Sequence, residues 1–233
     1  MQGVAKMKKL VILSGGLDST AVFLNLIASN KNVDGISFDY GQKCKQELQI
    51  AKKLCDRYQR SHTLIDISNL FFIFGKNQLT NPNTKISQKY SRNIIVPLRN
   101  ALFLQIASCY ALSNGYEEIY LGSHLDDIIK KEGEYLFPDC SPEFLQAFEV
   151  AQNKGILTTQ KLRFFSPALE GLRKRELIQN AYQIDKESLF NSISCYNNGL
   201  VNCGCCDSCI NRKRSFKEAG ILDETIYNKK GNG

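Results

Sequence analysis

The chain has 233 residues, 43% of them apolar and 23% charged, with 30 basic against 23 acidic side chains and a formal net charge of +7. This composition suits a globular protein, with enough chain for one large domain or a domain with an appendage, and it excludes collagen-like and low-complexity classes. No apolar run approaches the ~20 residues that span a bilayer, and Met1–Lys6 carries no signal-peptide core, so a cytoplasmic location with reduced cysteines is expected.

Lys9–Leu13 reads as a strand that runs directly into Ser14-Gly15-Gly16-Leu17-Asp18-Ser19-Thr20, and Ser19–Ala28 has helical spacing. A strand, a glycine pair and a helix start make a phosphate cradle. Backbone N–H groups converge there, the helix dipole favours an anion, and a side chain in place of glycine would keep phosphate oxygens away. Ser14, Ser19 and Thr20 add hydroxyl donors, whereas Asp18 suits an anion site only as a metal holder or a helix cap. Neither the G-x-x-x-x-G-K-[ST] nor the G-x-G-x-x-G string occurs. An ordinary strand-to-helix turn would account for the glycines but not for the hydroxyls clustered with them.

Farther along, Val33–Phe38 reads as a strand and Lys43–Tyr58 as a helix with Leu48, Ala51, Leu54, Cys55 and Tyr58 on one stripe. His62–Ile67 is a third strand, Asn100–Leu112 an apolar helix and Glu118–Leu121 a fourth strand. Such alternation predicts an α/β fold, a Rossmann-like parallel sheet wrapped by helices, with ligands beyond the carboxyl ends of the strands. Asn69–Val96, with its Asn81-Pro82-Asn83 turn, and Gly122–Pro142 read as long binding loops or lids. A short strand after Arg163 and a helix from about Leu172 to Tyr182 lead to a cysteine-rich end and a frayed tail, Asn228–Gly233. Two parts are expected, a nucleotide domain over 1–185 and a metal-binding segment over 186–233. The basic clusters Arg173-Lys174-Arg175 and Arg212-Lys213-Arg214 fit a solvated surface better than a nucleic-acid site, because no aromatic–basic RNA motif accompanies them.

Cys203, Cys206 and Cys209 keep two-residue gaps, Cys195 lies eight positions upstream of Cys203, and Cys205 is a spare. Four thiolates at this spacing suit tetrahedral structural zinc. An iron–sulfur cluster, a redox C-x-x-C pair and unliganded buried thiols are the other readings. Cys44, Cys55, Cys109 and Cys140 have no partners at ligand spacing and read mostly as core thiols. His62 and His124 show no triad partner, so nucleophilic hydrolysis has little support.

The S-G-G-x-D-S string resembles the PP-loop of the ATP pyrophosphatase superfamily, the adenine nucleotide alpha hydrolase-like fold. Together with Ser37-Phe38-Asp39-Tyr40-Gly41-Gln42, Val96-Pro97-Leu98-Arg99-Asn100, Pro138-Asp139-Cys140, Ser194-Cys195-Tyr196, the Cys203–Cys209 run and Arg212, it resembles the 7-cyano-7-deazaguanine synthase family over residues 8–227. The resemblance implies an ATP-dependent ligase of the queuosine pathway. It adenylates 7-carboxy-7-deazaguanine, lets ammonia displace AMP, and activates the resulting amide again to leave a nitrile. It further implies ATP contacts from Leu13, Ser14, Gly15, Gly16, Leu17, Asp18, Ser19, Thr20, Ala21, Val22 and Phe23, with Mg²⁺ accompanying the nucleotide. Catalytic roles fall to Asp18, Ser19, Lys43 and Arg99, substrate contacts to Tyr40, Gln42, Arg99, Asn100 and Asp139, zinc ligation to Cys195, Cys203, Cys206 and Cys209, and the assembly is a homodimer. Tyr40 or Phe137 can stack on the ring, and Lys43 or Lys174 can neutralise phosphate.

The chain departs from the family pattern at Cys44, where a histidine is usual, at Gly122-Ser123-His124-Leu125-Asp126-Asp127 and the insertion after it, and at Ser141, where an arginine is usual. These positions should shape the acceptor side of the site. Two alternatives therefore accompany the synthase reading. One is a paralogue that passes the activated acyl group to an amine of a partner protein, and the other is a PP-loop enzyme that modifies tRNA.

Overall fold

The computed structural model describes residues 7–29, 31–75, 77–80, 95–128, 130–131, 134–135, 137–157, 159–197 and 201–228. Five parallel strands form the sheet, in the order β3-β2-β1-β4-β7. These are β1 (Lys8–Ile12), β2 (Asn32–Asp39), β3 (His62–Asp66), β4 (Tyr116–Tyr120) and β7 (Arg163–Phe165). The chain builds outward from β1 to β3, then crosses back to lay β4 on the other side of β1. The strand order thus reverses between β1 and β4, which opens a crevice at their carboxyl ends.

Buried strands in such a sheet are apolar on both faces, and β1 follows this rule. Leu10 and Ile12 pack with Phe103, Leu104 and Ala107 of α3 (Arg99–Asn114), while Val11 and Leu13 pack with Phe23 and Leu24 of α1 (Leu17–Ala28) on the opposite face. Leu54 and Cys55 of α2 (Gln46–Arg57) join the second face, as do Leu177, Ile178 and Ala181 of α5 (Lys174–Asn191) and Phe216 of α6 (Asp207–Glu218). α5 is broken at Asp185, whose φ of −155° and ψ of 88° are extended. Its carboxylate accepts the Ser188 N–H at 3.0 Å and so caps the second piece, which explains why helical spacing fades near Tyr182.

The long stretch at 122–142 is more ordered than a loop. It holds a 3-10 turn at Leu125–Ile128, a short hairpin of β5 (Lys130–Lys131) and β6 (Glu134–Tyr135), and a 3-10 turn at Pro138–Cys140. Ser141 then accepts the Phe144 N–H at 3.1 Å as the N-cap of α4 (Pro142–Gly155), a helix not anticipated from the sequence. In the earlier long stretch a 3-10 turn spans Ser68–Phe74, and the Asn81-Pro82-Asn83 turn lies outside the described residues, as do residues 229–233 of the expected tail.

Arg173, Arg175, Lys213 and Arg214 are exposed, as the solvated-surface reading expects, but the middle of one basic cluster and the start of the other are buried. Arg212 is wholly buried and donates to Leu189 O and Phe190 O at the end of α5 and to Thr225 and Ser192. Lys174 is buried at the start of α5, and Arg173 pairs with Asp126. Among the four cysteines read as core thiols, Cys44 and Cys55 are buried, but Cys109 is exposed on α3 and Cys140 half-buried.

The phosphate loop is held by close backbone approach. Gly15 has φ +81°, and a Cβ there would lie 2.1 Å from the carbonyl oxygen of Glu47 in the first turn of α2. Gly171 also has positive φ, +74°, but open space around it. Gly171→Ala is therefore expected to cost about 1 kcal/mol of unfolding free energy from backbone strain alone. Gly15→Ala, which adds a clash with backbone, should cost about 2–4 kcal/mol. Denaturant melts of the two variants check the difference.

Candidate functional site

The crevice between β1 and β4 is a cavity of about 410 Å³, a size that suits a small-molecule site. Its floor is the loop after β1, with Leu13, Ser14, Gly16, Leu17, Asp18 and Ser19 on the wall. Gly122, just after β4, closes on the same loop, where a Cβ would lie 3.0 Å from the Ser19 nitrogen. The first N–H groups of an α-helix have no partner within it, and Leu17, Asp18 and Ser19 of the first turn of α1 line the crevice. The Ser14 N–H donates to Ser19 Oγ at 3.2 Å, and the Gly16 N–H to Ser14 Oγ at 3.2 Å. Thr20, Ala21, Val22 and Phe23 are buried in the packing of α1 and do not line the cavity.

Asp18 sits among cations. Lys174 Nζ is 2.9 Å from its Oδ1, and His124 Nε2 is 3.5 Å from the same oxygen. Burial opposes its ionisation, but Lys174 and His124 outweigh that and hold the carboxyl far below its ordinary range. His124 is buried, with Asp127 Oδ2 at 3.5 Å on its other side. Burial alone would favour neutral imidazole, yet Asp127 and Asp18 raise the pKa above the ordinary histidine value. Asp126 ties this corner to α5 by accepting the Lys174 N–H at 2.9 Å. Lys174, read as solvated charge or as a phosphate partner, is buried beside Asp18; only the fold brings His124 and Asp127 to Asp18.

The opposite wall comes from β2, α2 and α3. Arg99 opens α3, after Leu98 turns the chain with φ +52°, and its guanidinium donates to the Tyr40 hydroxyl at 3.2 Å while lying over the Tyr40 and Phe103 rings. Gln42 is buried and serves the turn itself: Oε1 accepts the Tyr40 N–H at 2.9 Å, and Nε2 donates to Phe38 O and to Glu47 Oε1. The Asn100 N–H donates to Asp139 Oδ2 at 3.1 Å, which places that carboxylate on the N-terminus of α3. Lys43, Asn100, Asp139 and Phe137 all line the cavity. Burial pushes Lys43 below its ordinary pKa.

Cys195, Cys203, Cys206 and Cys209 bring their Sγ atoms within 4.8 Å of one another, so they are positioned to hold a metal ion. The donors fit zinc: four sulfurs, with backbone N–H groups of Asn197, Cys203 and Cys206 aimed at Sγ atoms at 3.4 Å. Cys205 is exposed, with its sulfur 3.6 Å from that of Cys203. Cys195 also lines the cavity beside Cys44, Tyr196, Asp207 and Ser208, so the cysteine segment forms the third wall. Ser37, on the β2 wall, has its Oγ 2.7 Å from His62 Nε2.

A five-stranded parallel sheet with this loop at its switch point defines the PP-loop class, the adenine nucleotide alpha hydrolase fold. The likeness extends to two solved structures as fold alone: NMN synthetase from Francisella tularensis (TM-score 0.50, 14% identity, covering 94% of this chain and 79% of that one), and a 4-thiouridine synthetase in complex with RNA and bound ATP (TM-score 0.52, 15% identity, covering 94% and 52%). Residues 8–220 match the family described as queuosine biosynthesis protein QueC, and the chain belongs to that family. It is 36% identical to the 7-cyano-7-deazaguanine synthase of Methanococcus maripaludis over 95% of this chain and 99% of that one. It is 34% identical to the synthase of Leptospira interrogans over 93% and 89%, and 32% identical to that of Brucella anthropi over 95% and 94%.

Two outcomes follow from the site. Burial raises the Glu47 carboxyl from 4.5 to about 7. The folded state then holds a proton that the unfolded state has lost between those values, so stability falls as pH rises through that window. Glu47→Gln is expected to flatten this dependence, read as a smaller change in urea midpoint between about pH 5 and about pH 8. Cys209→Ser should lower bound metal and thermal stability together, and a chelator should do the same to the unmutated protein, whereas Cys205→Ser should leave metal content unchanged. Metal analysis beside thermal melts reads all three.

Proposed function

We propose that the chain is an ATP-dependent ligase that adenylates 7-carboxy-7-deazaguanine and, with ammonia, converts it to 7-cyano-7-deazaguanine, releasing AMP and pyrophosphate at each of two activations. The observation that carries this reading is the continuity of the cavity, which joins the phosphate loop to walls of aromatic, amide and charged side chains. Family membership supports the product. Residues 1–185 are read as the nucleotide domain and 186–233 as a zinc-binding segment packed on it.

A carboxylate is a poor electrophile, and adenylation gives it a good leaving group. One carboxylate oxygen attacks the α-phosphorus of ATP and the bond to the β-phosphate oxygen breaks, giving acyl-adenylate and pyrophosphate. Ammonia adds to the acyl carbon, AMP departs with the oxygen, and an amide and a proton remain. The amide oxygen repeats the attack on a second ATP, and loss of AMP and a proton yields the nitrile. In this reading the helix N–H groups with Ser14 and Ser19 hold the departing pyrophosphate. Lys174 keeps Asp18 neutralised beside it, and Arg99 meets the carboxylate or the α-phosphate. Mg²⁺ accompanying ATP would supply further charge compensation when bound.

The test is one incubation of the protein with 7-carboxy-7-deazaguanine, Mg-ATP and an ammonium salt, followed by mass spectrometry. Nitrile and AMP are expected, and Asp18→Ala should lower the rate at least about 100-fold. Amide alone, or AMP release that requires a protein amine, would assign the chain to acyl transfer onto another acceptor. Absence of AMP would overturn both.

A further inference from the structure

Five carboxylates stand on the cavity wall: Asp18, Glu47, Asp127, Asp139 and Asp207. Four are committed to neighbours. Asp18 meets Lys174, Glu47 accepts from the Gln42 amide, Asp127 accepts the His124 N–H at 3.0 Å, and Asp139 accepts the Asn100 N–H. Asp207 differs. Its Oδ2 is buried and has no hydrogen-bond partner among the described residues. A buried carboxylate oxygen without a donor is costly, and in a native fold it calls for an explanation.

Its surroundings supply one. Asp207 opens α6 immediately after Cys206, two residues before Cys209, so the metal-binding turn fixes its position. Tyr196 lines the cavity beside it and hydrogen-bonds to Ser208, which holds the ring in place as a flat apolar wall. A fixed carboxylate beside an aromatic face suits a planar heterocycle that presents two adjacent N–H donors. Cytosine and adenine edges offer an acceptor beside their amine. A guanine-type edge offers the N1–H and the 2-amino group together.

We propose that Asp207 reads the paired N1–H and 2-amino donors of a guanine-type ring against Tyr196, so that the four-cysteine turn also positions the specificity residue of the site. This rests on the substrate assigned above, and it places recognition on Asp207 rather than on Asp139, one oxygen of which serves α3.

The test compares binding of 7-carboxy-7-deazaguanine with that of the same acid lacking the 2-amino group, by calorimetry on the metal-loaded full chain. The unmutated protein should prefer the 2-amino compound by roughly 10- to 100-fold. Asp207→Asn, whose amide offers donors where the carboxylate only accepts, should reduce the preference to about threefold or less while bound metal and Mg-ATP affinity stay unchanged. Asp207→Glu keeps the charge but moves it by one methylene, and should reduce the preference about tenfold. The proposal is overturned if both Asp207 variants keep the full preference, if Asp139→Asn abolishes it instead, or if the unmutated protein binds both acids equally. Binding of neither acid would overturn the substrate assignment and this inference together, whereas failure of the Asp207 variants alone leaves the substrate assignment standing.

Discussion

The pairing of Lys174 with Asp18 is the contact on which the rest of the site depends. Left uncompensated, a carboxylate in the loop after β1 would repel the phosphate that the proposed function places there. Lys174 cancels that charge from the first turn of α5, and His124 adds to it from the loop after β4. Three elements distant in sequence, α1, α5 and the β4 loop, are thereby drawn to one carboxylate. Two glycines allow close approach to the loop that carries Asp18: Gly122 brings the β4 loop onto α1 at this corner, and Gly15 seats the loop against α2 on the opposite wall. A side chain at Gly122 would push the β4 loop that carries His124 away from Asp18, and one at Gly15 would push the loop after β1 away from α2.

The C-terminal segment is tied into this arrangement. The Ile193 N–H donates to Gly15 O at 3.0 Å, which joins the chain just before Cys195 to the phosphate loop itself. Arg212 gathers the carbonyls of Leu189 and Phe190 at the end of α5 and the hydroxyls of Ser192, Ser194 and Thr225, and it buries its charge with five hydrogen bonds donated from a rigid fork. A metal ion on the four cysteines would thus stabilise α6 and, through these contacts, the wall of the cavity that carries Tyr196 and Asp207. The departures from the family pattern fall into the same frame. His124 supports Asp18, Ser141 caps α4, and Cys44 packs between the cavity and the cysteine cluster.

Features carried by neighbouring residues were legible in the sequence. The glycine pair, the hydroxyls and the strand-to-helix boundary define the loop locally, and two-residue gaps bring cysteine sulfurs together through a tight turn. The strand-helix alternation foretold the parallel sheet, with strand bounds close to those observed. Pairing of β4 with β1 was not legible, because it is a non-local contact set by packing. Lys174 and Arg212 looked like surface charge since long cations default to exposure; only the fold supplies Asp18 and the α5 carbonyls. Cys109 looked buried because Asn100–Leu112 is apolar around most of its circumference, so spacing did not show its outer face. The start of α4 did carry a local signal, Ser141-Pro142-Glu143, a cap followed by proline at the first helical position. Asp139 fits the expected site by position, yet its hydrogen bond to α3 appears only in three dimensions.

The central claim is that the Ser14–Ser19 loop serves cleavage of ATP between its α and β phosphates in order to activate a heterocyclic carboxylate. Isotope exchange between labelled pyrophosphate and ATP, measured without ammonia, tests it most directly because it reports reversible adenylation before any amine takes part. The account predicts label entering ATP only when 7-carboxy-7-deazaguanine is present, and loss of that exchange in Asp18→Ala. Exchange that ignores the acid, or formation of ADP and orthophosphate in its place, would contradict it.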